Sequence, residues 1–128
     1  MSRDYTKLSP FMQEVHAVFM QRCLAEGLDI VTICTDRSDA EQAAAFASGA
    51  SNARPGESPH NAKNEMGKPT SEAFDIGVIQ NGKYIGDGKH PHYLRAGAIG
   101  EELGLVWAGR WRGKLRETGH FENPKWKK

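Results

Sequence analysis

Three segments of the chain carry side chains that could act together on a metal ion. His60 lies in a loop-like stretch, Asp75 stands inside an apolar run, and Glu117 precedes His120 by three positions. A catalytic zinc site uses three nitrogen or oxygen ligands and leaves a position for water, which two histidines and one carboxylate can provide. A carboxylate beside that water can accept its proton. The pattern predicts His60, Asp75 and His120 as zinc ligands and Glu117 as catalytic base.

Each of these residues also has an ordinary structural interpretation. A lone histidine is more often a surface or core residue than a ligand, and an aspartate in a strand can cap a turn. The ExxH spacing also arises by chance. His90 and His92 are rival ligand candidates, although we expect them to be loop residues. The sequence does not choose between Nδ1 and Nε2 of His60.

The elements that position these residues follow from apolar periodicity and from turn residues. Ser9 and Pro10 begin an amphipathic helix that Gly27 ends, and Asn81-Gly82 indicates a hairpin turn. Further helices are predicted over residues 38–46 and 93–103, and strands over residues 29–35, 73–79, 83–85, 105–107 and 119–122. We expect one α+β domain over residues 1–128, with a small antiparallel sheet flanked by helices.

Residues 47–70 form a long segment rich in Gly, Pro, Ser and Asn, and His60 lies within it. Loops of this length are uncommon in a small domain unless they are functional or disordered. This segment is therefore a second, independent indication that His60 belongs to a site.

Four motifs resemble those of the zinc D-Ala-D-Ala peptidases and L-alanyl-D-glutamate endopeptidases, a family that includes phage endolysins and shares the hedgehog-type fold. The motifs run in the family's order over most of the chain, as Ser58-Pro59-His60, Ala73-Phe74-Asp75, Trp107-Ala108-Gly109-Arg110-Trp111 and Glu117-Thr118-Gly119-His120-Phe121-Glu122. Upstream, Thr35-Asp36-Arg37-Ser38 followed by Glu41-Gln42 resembles the family's turn from strand to helix.

The resemblance implies a zinc enzyme that cuts stem peptides of bacterial peptidoglycan. It implies that Arg37 stabilises the developing oxyanion, a role suited to a fixed guanidinium. A salt bridge from Arg37 to Asp36 or Asp39 is the structural alternative. Substrate contacts are expected from Ser58, Gln42 and Trp107. The L-alanyl-D-glutamate bond is the first choice of substrate, and a terminal D-Ala-D-Ala bond is the second.

The chain departs from the family pattern between its first histidine and its aspartate. The family usually has six residues there, whereas fourteen separate His60 from Asp75. We interpret residues 61–70 as an inserted flap at the rim of the site. Insertions in loops cost little closure entropy, so both ligands can still reach one ion.

Composition limits the other functions that the chain could have. A formal charge of +1 provides no global field for nucleic acid or membrane, and the basic, Trp-containing stretch of residues 107–128 is interpreted as a solvated face. Cys23 and Cys34 are expected to be buried thiols. We expect a monomer that is made in the cytoplasm without a signal peptide and acts on the cell wall after release.

Two further classes of function remain as alternatives. One is a non-catalytic, zinc-stabilised module that binds peptidoglycan or a protein, in which four protein ligands would close the metal site. The other is nucleic-acid binding through the Trp- and Arg-rich segment, which salt-dependent affinity would reveal.

Overall fold

The structure, a computed structural model, describes residues 1–51 and 53–126. These residues form three α-helices and five β-strands. The helices are α1 (Pro10–Ala25), α2 (Asp39–Ala47) and α3 (Pro91–Glu102), and the strands are β1 (Ile30–Cys34), β2 (Ala73–Gln80), β3 (Lys83–Ile85), β4 (Val106–Trp107) and β5 (His120–Glu122). The prediction of an α+β fold with a small antiparallel sheet is confirmed.

Side-chain caps determine where the first two helices begin. The backbone N–H of Met12 donates to Ser9 Oγ at 3.3 Å, and Pro10 occupies the first turn of α1. At α2, Ser38 and Glu41 form a capping box in which each side chain accepts from the backbone of the other. These caps explain why both helix starts could be predicted from sequence.

The sheet is built around β2, whose neighbours change along its length. The strand order is β1-β2-β5-β4, and β3 also pairs with β2. β1 lies along one edge of β2, while β5 pairs with Ala73–Asp75 and β3 pairs with Val78–Gln80. The register places Asp75 opposite both Cys34 on β1 and His120 on β5.

The two faces of β2 have different surroundings. Phe74, Ile76 and Val78 alternate along the strand and are buried in the core with residues of α1 and α3. The ring of Phe19 on α1 packs against Phe74 and Phe121, with centroids 5.3 Å and 4.9 Å away. Because successive side chains of a strand point to opposite faces, Asp75 lies on the face away from this core.

None of the helices described over residues 1–51 and 53–126 is both long and apolar enough to span a bilayer.

Candidate metal centre and its cavity

His60 is held by a short 3-10 turn, Pro59–Asn61, and its backbone N–H donates to Ser58 Oγ at 3.2 Å. Its ring is buried, and Nδ1 lies 2.9 Å from the carbonyl oxygen of Thr35. A carbonyl oxygen only accepts, so Nδ1 carries a hydrogen and the lone pair of the neutral ring is on Nε2. The structure thus distinguishes the two nitrogens, which the sequence could not do.

The free nitrogen of His60 faces Asp75. Nε2 is buried without a hydrogen-bond partner among the described residues and lies 3.3 Å from Asp75 Oδ2. Buried polar atoms rarely stay unpaired unless an ion, a water or a functional role accounts for them. An imidazole nitrogen in this position, beside a carboxylate, fits the donor set of a divalent transition metal.

His120 reaches the other oxygen of Asp75 through the β2–β5 register. Its Nδ1 lies 2.8 Å from Asp75 Oδ1, and its Nε2 lies 2.9 Å from Glu122 Oε1. Metal-binding histidines commonly place the second ring nitrogen on a carboxylate, which fixes the ring's orientation. Glu122 fits that orienting role. It was not among the predicted site residues, although its position two residues after His120 on a strand places both side chains on one face.

The charges and hydrogen bonds of this cluster shift the pKa values of its two histidines and of Asp75. Burial alone lowers the pKa of both histidines, but the charge of Asp75 holds the pKa of His60 well above its usual range. Hydrogen bonds to Asp75 and Glu122 likewise raise the pKa of His120 to about 9. The pKa of Asp75 is held well below its usual range despite burial, chiefly by the charge of His60. In the metal-free protein both rings therefore carry protons with which a metal would compete.

Asp75 belongs to two groups of side chains whose possible metal-binding atoms lie within 4.8 Å of one another. One group contains Cys34 and His60, and the other contains Glu117 and His120. The structure thus brings both predicted histidines to Asp75 but places them in separate groups. The thiol of Cys34 was not among the predicted ligands, because only the β1–β2 register brings it beside Asp75. Its Sγ lies 3.7 Å from His60 Nδ1, the nitrogen that already donates to Thr35.

The carboxyl of Glu117 lies at the edge of this cluster. The residue is exposed, yet partial burial of its carboxyl raises its pKa, and the charge of Asp75 adds to this effect. A raised pKa brings a carboxyl nearer to the range in which it can both accept and return a proton. The position of Glu117 beside Asp75 and His120 is compatible with the predicted base.

Arg37 points into the same site and is positioned by a buried amide. Its Nη2 lies 4.0 Å from Asp75 Oδ2, and its Nη1 donates to Gln42 Oε1 at 2.8 Å. The fully buried Gln42 donates in turn to Ser51 Oγ at 2.8 Å and to the carbonyl oxygen of Ala53 at 2.7 Å. The carboxylate that Arg37 faces is Asp75 rather than Asp36 or Asp39, the two alternatives, and Asp39 pairs with Lys63 at 2.8 Å.

A cavity of about 470 Å³ opens above the cluster. Its lining includes the predicted ligands and both predicted catalytic residues, together with Ser58, Trp111 and Trp126. The Trp111 ring lies 5.7 Å from the His120 ring, measured between centroids. One concave space therefore contains His60, Asp75, His120, Glu117 and Arg37, as a site acting on a bound ligand requires.

Two of the three expected substrate contacts lie elsewhere. Gln42 is buried behind Arg37, and among the described residues neither it nor Trp107 lines the cavity. The Trp107 ring packs so closely on α3 that a Cβ at Gly97 would lie 2.1 Å from it, and its Nε1–H donates to the carbonyl oxygen of Thr118 at 2.9 Å. Trp111, from the same motif, lines the cavity instead.

His90 and His92 belong to the start of α3. His90 Nδ1 accepts from the backbone N–H of His92 at 3.1 Å, and His90 Nε2 lies 2.9 Å from Gln80 Oε1. Within the described part of the chain, neither residue belongs to a group of side chains close enough to share a metal ion. His90 therefore caps α3 and His92 lies in its first turn, whereas we expected both to be loop residues.

The insertion closes on itself beside α2. Lys63 forms an isolated antiparallel bridge with Pro69, and the backbone N–H of Asn64 donates to the carbonyl oxygen of Lys68 at 2.9 Å. Lys63 Nζ lies 2.8 Å from Asp39 Oδ1 on α2. None of the residues 61–70 lines the cavity, so the expected flap at its rim is replaced by a hairpin-like loop outside it.

The chain is thus an α+β domain in which α1 and α3 pack on one face of an antiparallel sheet and a histidine–carboxylate cluster lies on the other. Among solved structures, the chain is similar to the L-Ala D-Glu endopeptidase ChiX of Serratia marcescens, with a TM-score of 0.68 and 20% sequence identity. The match covers 92% of this chain and 81% of that one, and it shows a shared fold. No protein-family model matches the chain, and no curated protein sequence does.

Proposed function

We propose that this chain is a zinc-dependent peptidase that hydrolyses peptide bonds of bacterial peptidoglycan. The observation that carries the proposal is the meeting of His60 and His120, from separate segments, at the two oxygens of Asp75 on the floor of a cavity. The same cavity contains Glu117 and Arg37. The fold shared with an L-Ala D-Glu endopeptidase supports the same class of reaction.

His60 through Nε2, Asp75 through its carboxylate and His120 through Nδ1 would hold the ion. The carbonyl oxygen of Thr35 and the carboxylate of Glu122 would keep the two rings oriented. When bound, zinc would polarise the scissile carbonyl and make water more acidic. Three protein ligands leave room for reactants, whereas a purely structural zinc site is normally closed by four.

The remaining chemistry belongs to the side chains around the cluster. Arg37, held by Gln42, would bind the carbonyl oxygen as it gains negative charge. Glu117 would accept a proton from the attacking water and then give it to the leaving nitrogen. The raised pKa of its carboxyl suits both steps, because the group can hold the proton between them.

The L-alanyl-D-glutamate bond of the stem peptide is the proposed substrate, with a terminal D-Ala-D-Ala bond as the second candidate. We further propose that the chain acts as a monomeric, single-domain endolysin of phage type that reaches the wall after release from the cell. Digesting purified sacculi and identifying the new amino termini by mass spectrometry separates the two bonds. A new D-glutamyl amino terminus supports the first, and released D-alanine supports the second.

Replacing Glu117 with glutamine tests the proposed base. Glu117→Gln keeps the size and polarity of the side chain but removes its ability to accept a proton. We expect wild-type zinc content by atomic absorption and a fall in kcat of about 100- to 10,000-fold on sacculi. Glu65→Gln is the matched control, because Glu65 is exposed on the insertion and outside the cavity lining.

Full activity in Glu117→Gln would contradict the assigned base. Zinc binding by the wild type without any release of wall peptides, together with a fourth protein ligand on the ion, would favour the non-catalytic binding module instead.

A further inference from the structure

A second, smaller cavity opens where the neighbour of β2 changes. β5 pairs with β2 as far as Asp75, β3 begins to pair at Val78, and a gap remains between the two strands. The cavity at this gap has a volume of about 200 Å³, and its walls come from Ile33, Ile76, Tyr84, Tyr93 and Thr118. Its size suits one amino-acid side chain rather than a whole ligand, since complete ligand pockets are typically about 300 to 1,000 Å³.

The two cavities meet at the catalytic cluster. Asp75, Glu117 and His120 line both of them. An extended ligand whose reactive bond lies over these residues can therefore place one side in the larger cavity and the other side in the gap. Such an arrangement favours cleavage within a peptide, because residues on both sides of the bond find a surface.

Tyr84 forms the outer wall of the gap because Gly77 leaves room for its ring. A Cβ at Gly77 would lie 2.5 Å from Tyr84 Cε1, so the ring rests directly on the backbone of β2. Ile33 from β1 borders the same position, with its Cγ2 at 3.3 Å from that Cβ. Tyr84 is nevertheless 56% exposed, which leaves much of its surface available to a ligand.

Charge distinguishes the two cavities. Over the described residues, the gap is lined by the carboxylates of Asp75 and Glu117 and by no lysine or arginine, whereas Arg37 lines the larger cavity. Because the proposed ion would lie beside these carboxylates and offset their charge, the difference that bears on a carboxylate of the ligand is the guanidinium of Arg37 in the larger cavity. The larger cavity therefore suits an acidic residue, and the volume of the gap suits a small one.

We propose that the gap between β3 and β5 is a specificity subsite for a small residue next to the scissile bond, with Tyr84 as its size-determining wall. This inference rests on the proposed peptidase function. For an L-alanyl-D-glutamate bond, the alanyl residue occupies the gap and the glutamyl residue lies in the larger cavity with Arg37.

Synthetic peptides that differ only in the residue before D-glutamate test the subsite. The wild type should cleave the L-Ala peptide with a kcat/KM at least about 10-fold above that for the L-Leu peptide. Tyr84→Ala enlarges the gap, so the Leu-to-Ala ratio of kcat/KM should rise about 10-fold. Tyr5→Ala is the matched control, since Tyr5 is also 56% exposed and lines neither cavity.

An unchanged Leu-to-Ala ratio in Tyr84→Ala, or equal changes in Tyr5→Ala, would overturn the subsite. A binding measurement, which needs no cleavage, separates failure of the subsite from failure of the peptidase proposal. In zinc-treated Glu117→Gln, titration with the L-Ala-D-Glu dipeptide should shift the amide NMR signals of Gly77, Gly86 and Gly119 around the gap.

Shifts at these glycines without hydrolysis by the wild type would leave the subsite standing and refute the peptidase. Shifts confined to Ser51 and Ser58 in the larger cavity, or no shifts at all, would overturn the subsite whether or not the wild type cleaves peptides.

Discussion

At the scale of single residues, Arg37 depends on one buried amide for its position. Gln42 uses both ends of its side chain, accepting from Arg37 and donating to Ser51 and to the backbone of Ala53. Ser51 and Ala53 line the cavity. Gln42 therefore connects the guanidinium to the cavity wall, and we propose that it positions Arg37 instead of making the substrate contact expected from sequence.

Gln42→Leu tests this positioning role. The substitution leaves polar partners unpaired, and we expect the free energy of unfolding to fall by about 2 kcal/mol. If Arg37 also loses its orientation, kcat should fall about 10- to 100-fold at wild-type zinc content. Urea denaturation and steady-state kinetics measure the two effects.

The matched control for Gln42 is Gln13→Leu. Gln13 donates to the backbone oxygens of Thr6 and Leu8 and lies outside the cavity lining, so its loss should lower stability and leave kcat unchanged. An equal change in kcat for the two variants would contradict the positioning role.

At the scale of elements, α1 is joined to the sheet by a histidine that does not take part in the site. His16 Nε2 lies 2.8 Å from Thr32 Oγ1 on β1, and its ring meets Phe74 of β2 edge-on at 4.9 Å between centroids. Burial lowers the pKa of His16. The folded state therefore binds fewer protons at this ring than the unfolded chain does.

This shift predicts a contribution to acid sensitivity. The pKa of the unfolded ring is about 6.5, and that of the folded ring is lower. Stability from His16 is therefore present above about pH 6.5 and is lost as the pH falls below it, because the unfolded chain then binds the proton more readily. His60 and His120 act in the opposite sense in the metal-free protein, because their pKa values are raised. A comparison with His16→Gln isolates the first effect.

We expect the wild type to become less stable relative to His16→Gln when metal-free protein is taken from about pH 7.5 to about pH 5.5. Urea denaturation of both proteins at each pH gives the difference in unfolding free energy between the wild type and His16→Gln. An unchanged difference would contradict a lowered pKa at His16.

At the scale of the whole molecule, the cluster joins parts of the chain that are far apart in sequence. His60 comes from the segment between α2 and β2, Asp75 from the central strand and His120 from a strand near the end of the described chain. An ion bound by all three would stabilise the folded state over the unfolded state, where these groups are dispersed.

Zinc should therefore raise the melting temperature. Free zinc at about 100 times the dissociation constant adds about 2.7 kcal/mol to the free energy of unfolding, or roughly 10 °C for a domain of this size. His60→Ala should abolish the shift, while His92→Ala should keep it, since His92 lies outside the two groups of possible metal ligands around Asp75. Calorimetry with and without a chelator measures both. A shift that persists in His60→Ala would place the ion elsewhere.

Local patterns in the sequence determined the elements of this protein. Ser9 and Ser38 cap helices that begin where predicted, and the apolar run around Asp75 predicted a strand that carries one carboxylate, as β2 does. These features depend on neighbours within a few residues, so they can be recognised without knowing the fold. The residues that resemble a peptidase motif were recognisable for the same reason.

Tertiary structure alone decided how those residues meet. The register of β2 with β1 and β5 places Cys34 and His120 on either side of Asp75, and packing against Gly97 keeps Trp107 out of the cavity. The carbonyl oxygen of Thr35 selects the free nitrogen of His60. These outcomes depend on contacts between distant segments, whose relative positions follow from burial of the whole core rather than from any local pattern.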